Sequence, residues 1–203
     1  MTSLTRQTWA GLRLVLVMTV LLGIVYPLAV WAISRLPGLE NKAEGSMVTA
    51  NGHVVGSSLI GVDPVAANPA ADPYFHARPS ASAKGVLGPG DPSTSGPSNK
   101  AGDSPDLLTA VQQRRALIAA REGVAPSVVP TDAVTASGSG LDPDISPAYA
   151  QLQLARVARV TGLPVEKVRQ LVAGSTDGRS LGVLGDPGVN ITRLNLAIAN
   201  ARG

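Results

Sequence analysis

The sequence predicts an α+β protein: a single N-terminal transmembrane helix, then a small extracytoplasmic domain with a β-hairpin, long loops and about four helices. Three observations carry this. Leu14–Ile33 is an apolar run without a charge, and about twenty such residues are needed to cross a bilayer. Asn51-Gly52 sits between two β-rich runs, which is the strongest short signal for a type I′ hairpin. Beyond residue 104 the chain repeats segments that open on a capping residue, keep a helical apolar spacing and mostly stop at glycine.

The apolar run is flanked by Trp9 and Trp31. Twenty-two residues of helical rise place the two indoles roughly 33 Å apart, one near each interface. A cleaved signal peptide would have a shorter apolar stretch and a small-residue cleavage site, and neither is present. Arg6 and Arg13 precede the span and Arg35 follows it. The balance of basic residues directs the N-terminus to the cytoplasm. The expected organisation is therefore a cytoplasmic N-terminus at 1–13, an anchor at 14–35 and an extracytoplasmic domain at 36–203.

Charge and composition exclude several function classes. The net charge of +3 is carried by Arg6, Arg13 and Arg35, leaving residues 36–203 balanced. With aromatics at 3% there is no basic face interleaved with stacking rings, so nucleic acid is not an expected partner. The chain has no cysteine and only two histidines, His53 and His76, with no H-E-x-x-H pair. Thiolate and zincin-type metal sites are thus excluded. No G-x-S-x-G elbow presents a nucleophilic serine. Asp142 and Asp144 alternate without the terminal glutamate of a calcium loop.

Within the domain, residues 62–104 read as a long irregular region rich in Pro, Gly, Ser and Ala. Inside it "YFHARPSAS" (74–82) gathers Tyr74, the single phenylalanine and one of the two histidines, and is expected to plug the loop down by local apolar contact, the alternative being a ligand site. Four helices follow. Ser104 caps the first, with Pro105 at its first position, Leu108, Val111 and Ile118 on one side and Gly123 at the end. Ser146 and Pro147 open the second, which stops at Gly162. Pro164 starts the third, with Val165, Val168, Leu171 and Val172 on one face and Gly174 as its stop. Asn190 caps the last, with Ile191, Leu194 and Ile198 facing inward.

"VTASGSGLDPDISP" (134–147) is the most unusual stretch. Glycine-rich backbone ahead of a helix start attracts anions, making Ser137, Gly138, Ser139 and Gly140 weak candidates for holding a nucleotide. Against that, the stretch matches neither phosphate-binding glycine motif, and Asp142 and Asp144 would repel a phosphate. The structural alternative is a turn that delivers the chain to Ser146, with Gly138 and Gly140 supplying left-handed backbone or close approach.

The motifs "GIVYPLAV", "GSSLIG", "YFHARPSAS", "SGPSN", "AVTASGSGLDPDISP", "QLARVAR", "LGVLGDP" and "VNITRLNLAIA" occur in this order along nearly the whole chain. In that order the chain resembles the C-subunit family of the Kdp potassium-transporting ATPases. It departs from the family pattern at Val62, Asp144, Ser175 and Gly188, with extra residues around Gly88–Asp91. The resemblance implies a non-catalytic accessory subunit of a bacterial inner-membrane complex that imports potassium at the expense of ATP. Its implied partners are a channel-like subunit and a P-type ATPase subunit, besides membrane lipid. It also implies a catalytic-chaperone role, supporting assembly and raising the ATPase subunit's affinity for ATP. No covalent cofactor is implied, and ATP association rests on the resemblance alone. Neither a T-V-G-Y-G filter nor a D-K-T-G phosphorylation motif is present in the chain.

The expected interface residues are Thr19, Gly23 and Pro27, spaced by four along the anchor as small or irregular surface, together with Gly140 and Asp142. Two other functions fit the residues: a regulator that touches ATP itself, and an anchored extracytoplasmic binding protein without a transport role.

Overall fold

The structure is a computed structural model and describes residues 2–203. The chain divides into two compact units, one ending at Met47 and the other spanning Val48–Gly203.

The first unit is built on one helix, α1 (Ser3–Ser34), with none of its residues buried. At 1.5 Å per residue it is roughly 48 Å long, more than the hydrocarbon core requires. Pro27 lacks the amide that an α-helix needs, and its ring crowds the carbonyl four residues back. The chain answers with a single π-helical turn over Leu21–Val25, in which the Tyr26 amide donates to the Leu21 carbonyl. The extra residue in that turn opens space ahead of the proline, so the helix runs on to Ser34. After it, Arg35 ion-pairs with Glu44 and its guanidinium lies 5.6 Å from the Trp31 ring centre.

β1 (Met47–Ala50) and β2 (His53–Ser57) form the expected hairpin. Asn51 and Gly52 both take positive φ, 50° and 78°, as a type I′ turn demands. The principal helices are α2 (Pro105–Glu122), α4 (Pro147–Thr161), α5 (Val165–Gly174) and α6 (Ile191–Arg202), with a single-turn helix α3 (Thr131–Val134) between the first two. Gly123 and Gly162 end α2 and α4 in left-handed backbone. Ser146 and Asn190 accept the amides of Tyr149 and Arg193, capping α4 and α6 as expected.

Three expectations need correction. Ser104 occupies the cap position of α2, but its hydroxyl makes no capping bond. Ser146 differs because it donates to Asp132, which fixes its hydroxyl toward the Tyr149 amide. Leu108 is 59% exposed and Val165 is 49% exposed, although both match the apolar spacing of their helices. Both lie in first turns, and their helices are buried further along, at Ile118 and Ala119 and at Val168.

A second sheet was not foreseen. β3 (Asp144–Ile145) and β4 (Thr176–Asp177) both pair antiparallel with β5 (Gly188–Asn190), which lies between them. Ile145 pairs with Val189, and Val189 also faces Thr176. This small sheet places the end of the 134–147 stretch beside the start of α6. The core includes Phe75, Ile118, Val134, Tyr149, Val157 and Leu194, each at most 1% exposed.

Candidate functional site

The 134–147 stretch is the junction of several loops. The Ser137 amide donates to the Pro79 carbonyl at 2.9 Å, the Gly140 amide to Ser137 Oγ at 3.0 Å and the Leu141 amide to Ser139 Oγ at 3.1 Å. The Ser139 carbonyl accepts from the Gly96 amide at 2.8 Å and from Ser95 Oγ at 3.1 Å. The Leu141 carbonyl accepts from the Gly61 amide, and the Pro143 carbonyl from the Ile191 amide. Four separate parts of the chain (near 61, 79, 96 and 191) are thereby tied to one short segment.

Close approach explains which glycines matter. Gly140 has φ +73°, and a Cβ there would sit 3.0 Å from Ser80 Oγ and 3.1 Å from the Gly96 carbonyl oxygen. A Cβ on Gly61 would come within 2.3 Å of the Asp142 carbonyl oxygen. Gly138, expected to share this role, does not: its φ is ordinary and nothing lies within 4 Å of its Cβ position.

Asp142 is held from both sides. One carboxylate oxygen accepts from Arg78 at 3.0 Å, the other from the Asp144 amide at 3.0 Å. Asp144 is itself partly buried and accepts from Asn190. Burial is the main cause pushing its carboxyl above the usual range, and the Asn190 bond opposes this. Beside these residues lies a cleft of about 440 Å³ lined by Arg78, Asp132, Asp144, Asp177 and Asp186 among others. Of the four carboxylates on its wall, Asp177 is paired with Arg193, Asp186 with Arg179, and Asp132 holds the Ser146 amide and hydroxyl. Among the described residues no group of three His, Cys, Asp or Glu side chains could hold a metal ion.

The region 72–77 holds side chains that sequence reasoning missed. This segment is extended but joins no sheet, so its backbone groups need other partners. Asn195 from α6 accepts the Phe75 amide and donates to the Phe75 carbonyl, both at 2.8 Å. Gln153 from α4 does the same for His76, at 2.8 and 3.2 Å. Arg156 donates to the carbonyls of Asp72 and Tyr74 and to both oxygens of Glu122. The expected apolar plug exists, since Phe75 is 0% exposed, but polar side chains from two helices hold the segment around it. The available signal was "QLARVAR", where Gln153 and Arg156 fall on the same inward side of α4 as Tyr149 and Val157.

Of the expected interface residues, Thr19, Gly23 and Pro27 lie on α1 in the first unit, with Gly23 inside the π turn. Gly140 and Asp142 lie in the loop junction of the second.

Fold and loop together define a class: one apolar helix of membrane-spanning length joined to a small α+β domain whose loops converge on a serine-glycine junction. Comparison with known proteins narrows this. Residues 8–200 match the family model described as KdpC, the c chain of the K+-transporting ATPase. A potassium-transporting ATPase KdpC subunit of Kineococcus radiotolerans is 49% identical over 201 residues, covering 99% of this chain and 97% of the relative. One from Streptomyces avermitilis is 44% identical over 216 residues, covering 97% and 95%. One from Koribacter versatilis is 42% identical over 181 residues, covering 89% and 87%. The chain belongs to the KdpC family of potassium-transporting ATPase subunits.

Proposed function

We propose that this chain is a non-catalytic accessory subunit of ATP-driven potassium uptake, anchored in the bacterial inner membrane by α1 with its domain outside the cell. It supports assembly of the channel-like and P-type ATPase subunits, which it meets through the Thr19–Gly23–Pro27 side of the anchor and through the loop junction at Gly140 and Asp142. Any gain in ATP affinity on the ATPase subunit passes through these protein contacts, as a catalytic chaperone acting at a distance. The observation that carries this reading is the commitment of the serine-glycine loop to its own chain. The amides of Ser137, Gly140 and Leu141 are spent on internal acceptors. A backbone cradle for phosphate needs free amides.

The test uses the assembled complex in membranes. The chain has no native cysteine, so a single cysteine at exposed Ser127 reports the side of the membrane through an impermeant thiol reagent. Labelling is expected in intact spheroplasts, and labelling only after lysis reverses the orientation. In the same preparation a photoreactive ATP analogue is expected to mark the ATPase subunit alone. Marking of this chain that ATP competes away, and that Gly140→Val abolishes, overturns the indirect role.

A further inference from the structure

His76 is buried, and both of its ring nitrogens face carboxylates: Nδ1 lies 2.9 Å from Asp63 Oδ1 and Nε2 lies 2.6 Å from Asp72 Oδ2. A neutral imidazole has one N–H and one lone pair, so it satisfies only one of these contacts. The carboxylates are already acting as acceptors elsewhere. Asp63 Oδ1 accepts the Ala77 amide at 3.0 Å, and Asp72 Oδ1 accepts the Tyr74 amide at 3.0 Å with the Arg156 guanidinium 3.7 Å away. Two ionised acceptors on opposite sides of one ring call for an imidazolium.

We infer that His76 is a proton-held latch, whose cationic ring ties the Asp63 wall of a surface groove to the Asp72 floor and releases that wall when the ring loses its proton. The groove has a volume of about 540 Å³, with Asp63, Asp72, His76 and Arg121 at its polar end and Leu87 and Leu117 among its apolar lining. Release frees the Asp63 side and the Ala77 amide. Phe75 and His76 stay clamped through their backbones by Asn195 and Gln153, so opening is local rather than global.

The charged groups around the ring oppose one another. Burial acts most strongly and favours the neutral ring, and the nearby Arg121 cation on α2 works in the same direction. The hydrogen bonds that the ring donates to Asp63 and Asp72 overcome both and raise the histidine above its ordinary value. Further out, Arg121 is bound to Glu122 and to the Tyr149 hydroxyl, and Arg156 on α4 bridges Glu122 and Asp72. For a histidine raised on folding, the stabilisation is complete below about 6.5 and is lost as pH climbs through the raised value. Asp72 is lowered despite its burial, which raises it, because His76 bonds to it and Tyr74 and Arg156 add to the effect. Its share of the latch therefore persists until strongly acid pH. The latch works on either side of the membrane; on the proposed outer face it reads external pH.

The experiment takes the full-length chain in lipid nanodiscs, with His53 replaced by Gln and the one remaining histidine labelled with nitrogen-15. The His76 ring is expected to titrate with a midpoint above that of a free imidazole in the native background and with a lower one in Asp63→Asn. Amide-exchange protection, corrected for intrinsic rates, should fall at Ala77 by up to about tenfold per pH unit across the transition. Phe75 and His76 amides should keep their protection. A His76 midpoint at or below that of a free imidazole, a titration unmoved by Asp63→Asn, or equal loss at all three amides overturns the latch.

Discussion

Replacing Gly140 by valine attacks the loop junction at its tightest point. The backbone there is left-handed at φ +73°, which costs an L-residue about 1–2 kcal/mol and a β-branched one more. The new Cβ also meets Ser80 Oγ at 3.0 Å and the Gly96 carbonyl at 3.1 Å. Ser80 is a side chain and can turn away, whereas the Gly96 carbonyl is backbone. Moving that backbone endangers the bond from the Gly96 amide to Ser139, a further loss of about 1 kcal/mol. The sum is about 2–4 kcal/mol, and for a domain of this size it lowers the melting temperature by roughly 5–15 °C. Thermal unfolding is best followed by far-ultraviolet circular dichroism, because Trp9 and Trp31 both lie in α1 and report on the wrong unit. Gly138→Val is the control: its backbone is ordinary and its Cβ position open, so it should stay within about 0.5 kcal/mol of the parent. Equal melting of the Gly140→Val variant and the parent, or an equal drop in both variants, would refute the close-approach argument.

Two further outcomes follow from the same structure. Asn195→Ala removes both partners of the Phe75 backbone and should destabilise the domain by about 2–5 kcal/mol in urea unfolding, while Asn200→Ala, exposed on the same helix, should shift it by less than about 0.5 kcal/mol. Gly23→Leu places a bulky side chain in the π turn ahead of Pro27; co-purification with the channel-like subunit in mild detergent should weaken while membrane insertion is unchanged, and undiminished recovery would assign the contact to another face of α1.

The sequence by itself determined the features whose causes are local. An uncharged apolar run specifies a helix of spanning length, whatever packs on it. Asn51-Gly52 carries its hairpin because both residues tolerate positive φ. Ser146 and Asn190 cap their helices because each acceptor reaches an amide three residues ahead. In the loop junction, left-handed backbone or close approach was legible as an option at both Gly138 and Gly140, and only Gly140 takes it. The open surroundings of Gly138 were not legible, because they depend on which other loops pass nearby. The π turn lies between these cases: Pro27 announces a disruption, but only the folded helix shows that an inserted residue absorbs it.

What tertiary structure alone decided rests on partners far apart in the chain. Strands of two or three residues are too short to display an alternating period, so β3, β4 and β5 were invisible until they paired. Leu108 and Val165 carry the apolar spacing of their helices but lie in first turns, before the buried stretches. Asn195 lies 120 residues from Phe75, and Gln153 lies 77 from His76. No local pattern records such a pairing. An isolated histidine in a loop looks the same whether it faces solvent or two carboxylates, and only the fold brings Asp63 and Asp72 to opposite sides of the His76 ring.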